Sequence, residues 1–227
     1  MKKLTLFFVL AAVAITTQAG VGFKIGVGAG LSVAKIKDKY YSDRNKSMLA
    51  YDVAIPMEIK VSKYFAIQPE IHFIQKGFAL ENYGMSGVDK IFRRRNYIEF
   101  PVLLKGIMPI GDKTYLTLYT GAGVGYALTN KQVLKLSAGG KEKEKFPFDT
   151  NVKDDNIAYN KLDVIIPFGM GFERELTDKI SIYTDLRWHF DVTNNIRYNV
   201  KPDPTPSYKY RNFIFSIGCN FIAKKKN

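Results

Sequence analysis

Eight times between Phe23 and Phe221 the chain alternates apolar residues with polar or small ones, and this period of two dictates its fold class. Only an extended strand sends successive side chains to opposite faces, so each run predicts a strand with one apolar and one polar-or-glycine face. In the first run Phe23, Ile25, Val27, Ala29 and Leu31 oppose Lys24, Gly26, Gly28, Gly30 and Ser32. In the second, Val53, Ile55, Met57, Ile59 and Val61 oppose Ala54, Pro56, Glu58 and Lys60. The third sets Ile67, Ile71 and Phe73 against Gln68, Glu70, His72 and Lys76, and the fourth sets Ile98, Phe100, Val102 and Leu104 against Glu99, Pro101 and Lys105. Glycine crowds the polar face of the fifth and sixth runs, at Gly121, Gly123, Gly125, Gly169 and Gly171. The seventh opposes Ile182, Leu186, Trp188 and Phe190 to Tyr183, Asp185, Arg187, His189 and Asp191, and the eighth carries Phe213, Phe215, Ile217, Cys219 and Phe221 on its apolar face. No sustained helical period appears, which argues against an α/β fold.

The connections alternate as well. Short turns are expected near Ser62 to Tyr64, Ile110 to Lys113 and Leu176 to Lys179, with long polar loops at Lys37 to Ser47, Glu81 to Arg95, Asn130 to Asn160 and Thr193 to Lys209. Short periplasmic turns and long external loops in this order are the pattern of outer-membrane barrels. A soluble barrel would put the apolar face inside. Glycine makes a poor solvated strand surface but suits a narrow interior shared with large side chains. Apolar faces of about ten tilted residues also match the outer-membrane hydrocarbon band. The expectation is an all-β fold, an antiparallel up-and-down transmembrane β-barrel of eight strands.

The first twenty residues fit export to that location. Lys2 and Lys3 precede an apolar run from Leu6 to Ile15, followed by Thr16, Thr17, Gln18 and Ala19, the order of a secretory signal peptide. Residues 1–19 are therefore expected to be the signal and 20–227 the barrel domain. The formal charge of +13 drops by the two lysines of the signal to +11, which suits an anionic membrane surface, and nucleic acid is not an expected partner of an exported chain. Cys219 is the single cysteine, so no internal disulfide is possible.

An inward polar face would gather charges of both signs, and buried charges need partners. The expected interior ionic network comprises Glu58, Lys60, Glu70, Lys76, Glu99, Lys105, Glu173, Asp185 and Arg187, with Lys24, His72 and His189 on the same faces. Arg93, Arg94 and Arg95, before the fourth strand, are candidate contacts for the phosphates of lipopolysaccharide. Lys141 to Lys145 alternates lysine and glutamate and reads as a nearly neutral, solvated loop tip. An enzymatic alternative would use His189 with Asp185 or Asp191 as a rim-sited hydrolase or acyltransferase, although residues two apart in one strand converge poorly. With two histidines and one cysteine, neither a metal nor another cofactor is expected.

Tyr97, Ile98, Glu99, Phe100, Pro101, Val102, Leu103, Leu104 and Lys105 resemble the PorT-like outer-membrane β-barrel family of Bacteroidetes-type bacteria. Phe65, Ala66, Ile67, Gln68, Pro69, Glu70 and Ile71, with Lys76 and Gly77, are similar to the third strand of that family. The resemblance implies an eight-stranded outer-membrane barrel in a family whose named member takes part in secretion of cell-surface proteins. Here Phe221 is followed by Ile222 to Asn227, whereas outer-membrane strands commonly end in the aromatic residue that the assembly machinery reads. The expected function is noncatalytic, in envelope structure, surface-ligand binding or as an accessory to secretion, and a narrow small-solute channel is a further alternative. Expected partners are outer-membrane lipid and lipopolysaccharide, the assembly machinery, and a secretion or surface protein.

Overall fold

The computed structural model describes residues 22–37, 45–81, 87–145, 148, 157–198 and 208–223. The expected signal segment, residues 1–19, lies outside the described residues, as do the four residues after Ala223. Among the described residues twelve strands follow one another: β1 (Phe23–Lys37), β2 (Asn45–Lys46), β3 (Met48–Lys60), β4 (Phe65–Glu81), β5 (Val88–Gly111), β6 (Thr114–Leu136), β7 (Lys141–Lys145), β8 (Ile157–Tyr159), β9 (Leu162–Glu175), β10 (Ile180–Asp191), β11 (Ile196–Tyr198) and β12 (Lys209–Ala223). Eight of them, β1, β3, β4, β5, β6, β9, β10 and β12, form a ring of antiparallel neighbours. The ring closes where β1 pairs with β12 from Phe23 opposite Ala223 to Lys37 opposite Lys209. Closure leaves no unpaired edge around the ring, which lipid requires because it cannot hydrogen-bond a strand.

The two faces answer the question of orientation. Val27, Leu31, Leu104, Phe215 and Ile217 point outward and stay exposed, while Lys24, Glu70, Lys76, Glu99 and Arg187 are buried inside. A barrel built for water would reverse this, so the outer surface is one that lipid covers. On the outer face of β9, β10 and β12, Phe168 stacks on Trp188 at 5.4 Å and on Phe190 at 5.2 Å, and Trp188 meets Phe213 at 4.8 Å.

The periplasmic turns are tight, and two use one device. Ser62 Oγ accepts from the backbone N–H of Tyr64 and Phe65, and Thr177 Oγ1 accepts from those of Lys179 and Ile180. A hydroxyl thereby satisfies donors that the bend removes from the ladder. The middle turn is only Asp112 and Lys113, since Ile110 and Gly111 remain in β5.

Two of the expected external loops need correction. Val88 to Arg95 belongs to the 24-residue β5, and Asn130 to Leu136 belongs to the 23-residue β6, so these strands continue well beyond the bilayer. With β4 on one side and β7 on the other, they make an external sheet. The expected loops also contain the short strands β2, β7, β8 and β11, and their parts at 38–44, 82–86, 146–147, 149–156 and 199–207 lie outside the described residues.

The inward glycines have a packing reason. Tyr183, Gly218 and Gly28 sit side by side across β10, β12 and β1, and the hydroxyl end of Tyr183 lies over both glycines. A Cβ at 218 would stand 2.5 Å from Tyr183 Cζ. Tyr119 lies over Gly169 in the same manner, directed toward Arg187. Glycine thus lowers the wall where a tyrosine must fold into the lumen.

Candidate functional site

Inward side chains from all eight strands fill the lumen in tiers. Nearest the periplasmic end, Lys24 Nζ lies 2.5 Å from Glu173 and 3.5 Å from Glu58, and Lys105 Nζ lies 2.6 Å from Glu58 and 3.7 Å from Glu173. Gln68 accepts from Lys105 at 3.0 Å, and Ser181 donates to Glu173 at 2.6 Å. Two lysines face two glutamates, so this tier is electrically balanced.

The middle tier centres on Arg187. Its Nη2 donates to Glu70 Oε1 at 3.0 Å, its Nη1 to Glu70 Oε2, and its Nε to Asp185 at 3.1 Å. Two parallel bonds between guanidinium and carboxylate fix both groups in one plane. Tyr119 donates to Asp185 at 2.6 Å, and His72 joins Asp52 at 2.9 Å to Glu70 at 2.8 Å. The cavity beside Arg187 has a volume of about 30 Å³, room for about one water.

In the third tier one ammonium meets three carboxylates. Lys76 Nζ is 2.6 Å from Glu99, 3.2 Å from Asp163 and 2.5 Å from Asp191, all fully or almost fully buried. His189 Nδ1 contacts Glu99 at 3.1 Å. Alongside them Ile36, Ile74, Tyr97, Ala127, Tyr210 and Ile214 pack into an apolar cluster drawn from five strands around the ring.

The expected network residues distribute over these tiers with one exception. Glu58, Lys105 and Glu173 lie in the first, Glu70, Asp185 and Arg187 in the second, and Lys76 and Glu99 in the third. Lys60 is only half-buried at the periplasmic rim, with Nζ 5.5 Å from the Tyr115 ring centre and no carboxylate partner among the described residues. Near the open end its ammonium keeps water, so it needs no partner. Asp52 falls outside the expected runs, whereas Tyr119, Asp163 and Asp191 lie on the polar faces of the fifth, sixth and seventh runs but were not in the expected network. Carrying the alternation two residues further back from Ala54 would have found Asp52.

The catalytic grouping does not converge. Asp185 is held by Tyr119 and Arg187, His189 by Glu99, and Asp191 by Lys76. His189 and Asp191 are each 1% exposed, buried within the lumen rather than open at the rim.

The three arginines separate for the same reason that the runs alternate. Arg93 and Arg95 point inward and only Arg94 points outward, over Phe92 at 5.4 Å. Arg95 is 4% exposed, so the expected lipid contact is corrected for it. It lines an external pocket of about 170 Å³ together with Arg93, Tyr159, Tyr208 and Tyr210.

Lys141 to Lys145 is also not a loop tip. As strand β7 it pairs with β6, setting Lys141 opposite Lys135 and Lys145 opposite Lys131, while Glu142 and Glu144 fall on the other face opposite Leu134 and Gln132. The segment is nearly neutral in sequence but sorted by sign in space. A bulge where Asn96 pairs with Thr129 and Tyr97 with Ala127 skips Leu128 and reverses the parity of β6. This turns Lys131 and Lys135 outward, above Tyr126 and Leu128. Five exposed lysines thereby share one face, with like charges directly opposed across strands, an arrangement that disfavours the sheet unless anions neutralise it.

The family model described as "Outer membrane protein beta-barrel domain" matches residues 17–196. No curated protein matches the chain by sequence. Among solved structures, the outer membrane protein OprG from Pseudomonas aeruginosa is similar with 10% identity and a TM-score of 0.47, covering 91% of this chain and 97% of that one. The outer membrane protease OmpT from Escherichia coli aligns with 10% identity and a TM-score of 0.43, covering 91% and 98%. Ail, the attachment invasion locus protein of Yersinia pestis, in complex with the heparin analogue sucrose octasulfate, aligns with 10% identity and a TM-score of 0.41, covering 88% and 99%.

Proposed function

Because the chain belongs to the outer membrane protein beta-barrel domain family, we propose that it is a closed, noncatalytic barrel that anchors an external β-sheet platform for binding at the cell surface. The filled lumen carries this reading: three tiers of paired charge and an apolar cluster occupy the interior, while β4 to β7 extend outward as ordered sheet. At eight strands the interior is about wide enough for side chains alone. The similarity of Tyr97 to Lys105 to PorT-like barrels supports placing the protein in that group, and an accessory role in secretion would use the same platform. Proteoliposomes carrying the folded protein are expected to show no osmotic swelling in small sugars beyond that of empty vesicles. Swelling at a porin-like rate would refute the closed barrel.

The lysine face supports a partner for the platform. It lies on the same side of the sheet as the lipid-facing residues, and Lys131 follows Leu128 by about 10 Å of strand. Flexible lysine stems reach down toward headgroups from there. The phosphates of lipopolysaccharide in the outer leaflet complement five ammonium groups, and Arg94 is the one member of its triplet that faces the same way. Changing Lys131, Lys135, Lys141, Lys143 and Lys145 together to Gln is expected to reduce the lipopolysaccharide retained per folded barrel after detergent exchange. High salt should do the same to the unmodified protein by screening. Equal retention by both proteins would remove lipopolysaccharide from the account.

A further inference from the structure

We propose that the external pocket around Arg95 is a binding site for a carboxylated sugar ring of the uronic-acid kind, which names the ligand class of the platform and rests on that reading. Arg95 is buried, yet among the described residues no carboxylate lies within salt-bridge distance of it. Its Nε donates to Asn130 Oδ1 at 3.2 Å and its Nη1 to the Asn195 carbonyl at 3.4 Å. Its remaining neighbours among the described residues are the Tyr97, Tyr159 and Tyr210 side chains, and none of them is a carboxylate. A desolvated guanidinium without a counter-ion is costly, and the buried cations Lys24, Lys76, Lys105 and Arg187 each have a carboxylate. A ligand carboxylate completing the fork would supply the missing charge.

The rest of the pocket specifies what carries that carboxylate. The Arg95 guanidinium sits 4.6 Å from the Tyr159 ring centre and 5.7 Å from that of Tyr210, and Tyr208 adds a third tyrosine to the wall. Asn130 Nδ2 is a second buried donor with no acceptor, and its orientation is fixed because its Oδ1 accepts from Arg95. Aromatic faces for ring C–H groups, with spare donors for hydroxyls, suit a sugar ring better than an aliphatic acid. The volume of about 170 Å³ is that of one such ring.

The floor is preorganised through Asn195. Its Oδ1 accepts from Tyr97 at 2.9 Å, and its Nδ2 donates to Asp191 at 3.3 Å and to the Tyr208 carbonyl at 3.1 Å. The site is therefore built before a ligand arrives, so little ordering opposes binding.

Thermal unfolding of the full barrel in detergent, read by its heat-modifiable gel band, tests this with glucuronate as the probe. Glucuronate is expected to raise the midpoint of the unmodified protein, while glucose and inorganic phosphate raise it much less. Arg95→Met is expected to lose the glucuronate shift and, by removing a buried charge that has no carboxylate partner among the described residues, to keep or raise the ligand-free midpoint. A purely structural Arg95 would instead lower it. Arg95→Lys, which keeps charge but not the fork, is expected to bind glucuronate about ten-fold more weakly, a difference near 1.4 kcal/mol. No shift in the unmodified protein, an equal shift in Arg95→Met, or an equal shift with glucose or phosphate would overturn the proposal. Vesicle swelling on the same preparation reports separately on the closed barrel.

Discussion

Changing Lys76 to Met is expected to lower the stability of the folded barrel by about 3–5 kcal/mol, because it leaves Glu99, Asp163 and Asp191 buried without their cation. The three carboxylates come from β5, β9 and β10, and Lys76 comes from β4, so one ammonium joins strands from separate parts of the ring. Methionine retains the length and apolar stem of lysine, which isolates charge from packing. Urea unfolding in lipid vesicles, followed by Trp188, the single tryptophan of the chain, reads the change directly. Adding Glu99→Gln to the Lys76→Met protein should restore part of the loss, since one buried anion is then removed. A midpoint unchanged by Lys76→Met would mean that this tier is hydrated and does not hold the lumen shut.

Gly169→Val is expected to prevent or severely slow assembly, with a cost at or above the 1–3 kcal/mol range typical of overpacking. A Cβ at 169 would collide with the Leu186 carbonyl oxygen and stand 2.5 Å from the Tyr119 hydroxyl. Tyr119 cannot move aside freely, because its hydroxyl donates to Asp185 and its ring lies 4.9 Å from the Arg187 guanidinium. The backbone carbonyl cannot yield without breaking the β9 to β10 ladder. Valine at Gly139, where nothing lies within 4 Å of the added Cβ but φ is +89°, provides a comparison outside the barrel wall. Folding yields of Gly169→Val equal to the unmodified protein, measured by the heat-modifiable band, would contradict the packing role.

The pattern from which the fold was read is the one that lipid imposes. Where hydrocarbon covers one face, as from Ile98 to Leu104, apolar and polar residues must alternate, and both strand and face were legible. Beyond the hydrocarbon that demand ends, so Val88 to Arg95 and Asn130 to Leu136 looked like loops although their backbones remain paired. The separation of Arg93, Arg94 and Arg95 was nevertheless available, because a strand that continues upstream from Ile98 must keep its parity. The opposite was true of Lys131 and Lys135, whose outward direction depends on the bulge at Leu128, a feature of how two distant segments align.

The inward charges were legible as a set, but their partners were not. Alternation says that Lys76 and Glu99 each face the lumen, and nothing in the linear chain says that Asp163 and Asp191 meet them there. The two segments that resemble PorT-like barrels lie side by side as β4 and β5, and the Lys76 to Glu99 pair links them. Together they supply members of all three charged tiers, which gives their sequence pattern a physical content.

Ionic conductance across a planar lipid bilayer tests the central claim most directly, with insertion verified by protection of the barrel from protease. The lumenal tiers predict a silent membrane, with no unitary current steps from the inserted protein. Steady unitary currents that change when Glu99, Lys105 or Arg187 is replaced would place a water-filled path through those tiers and contradict the closed barrel.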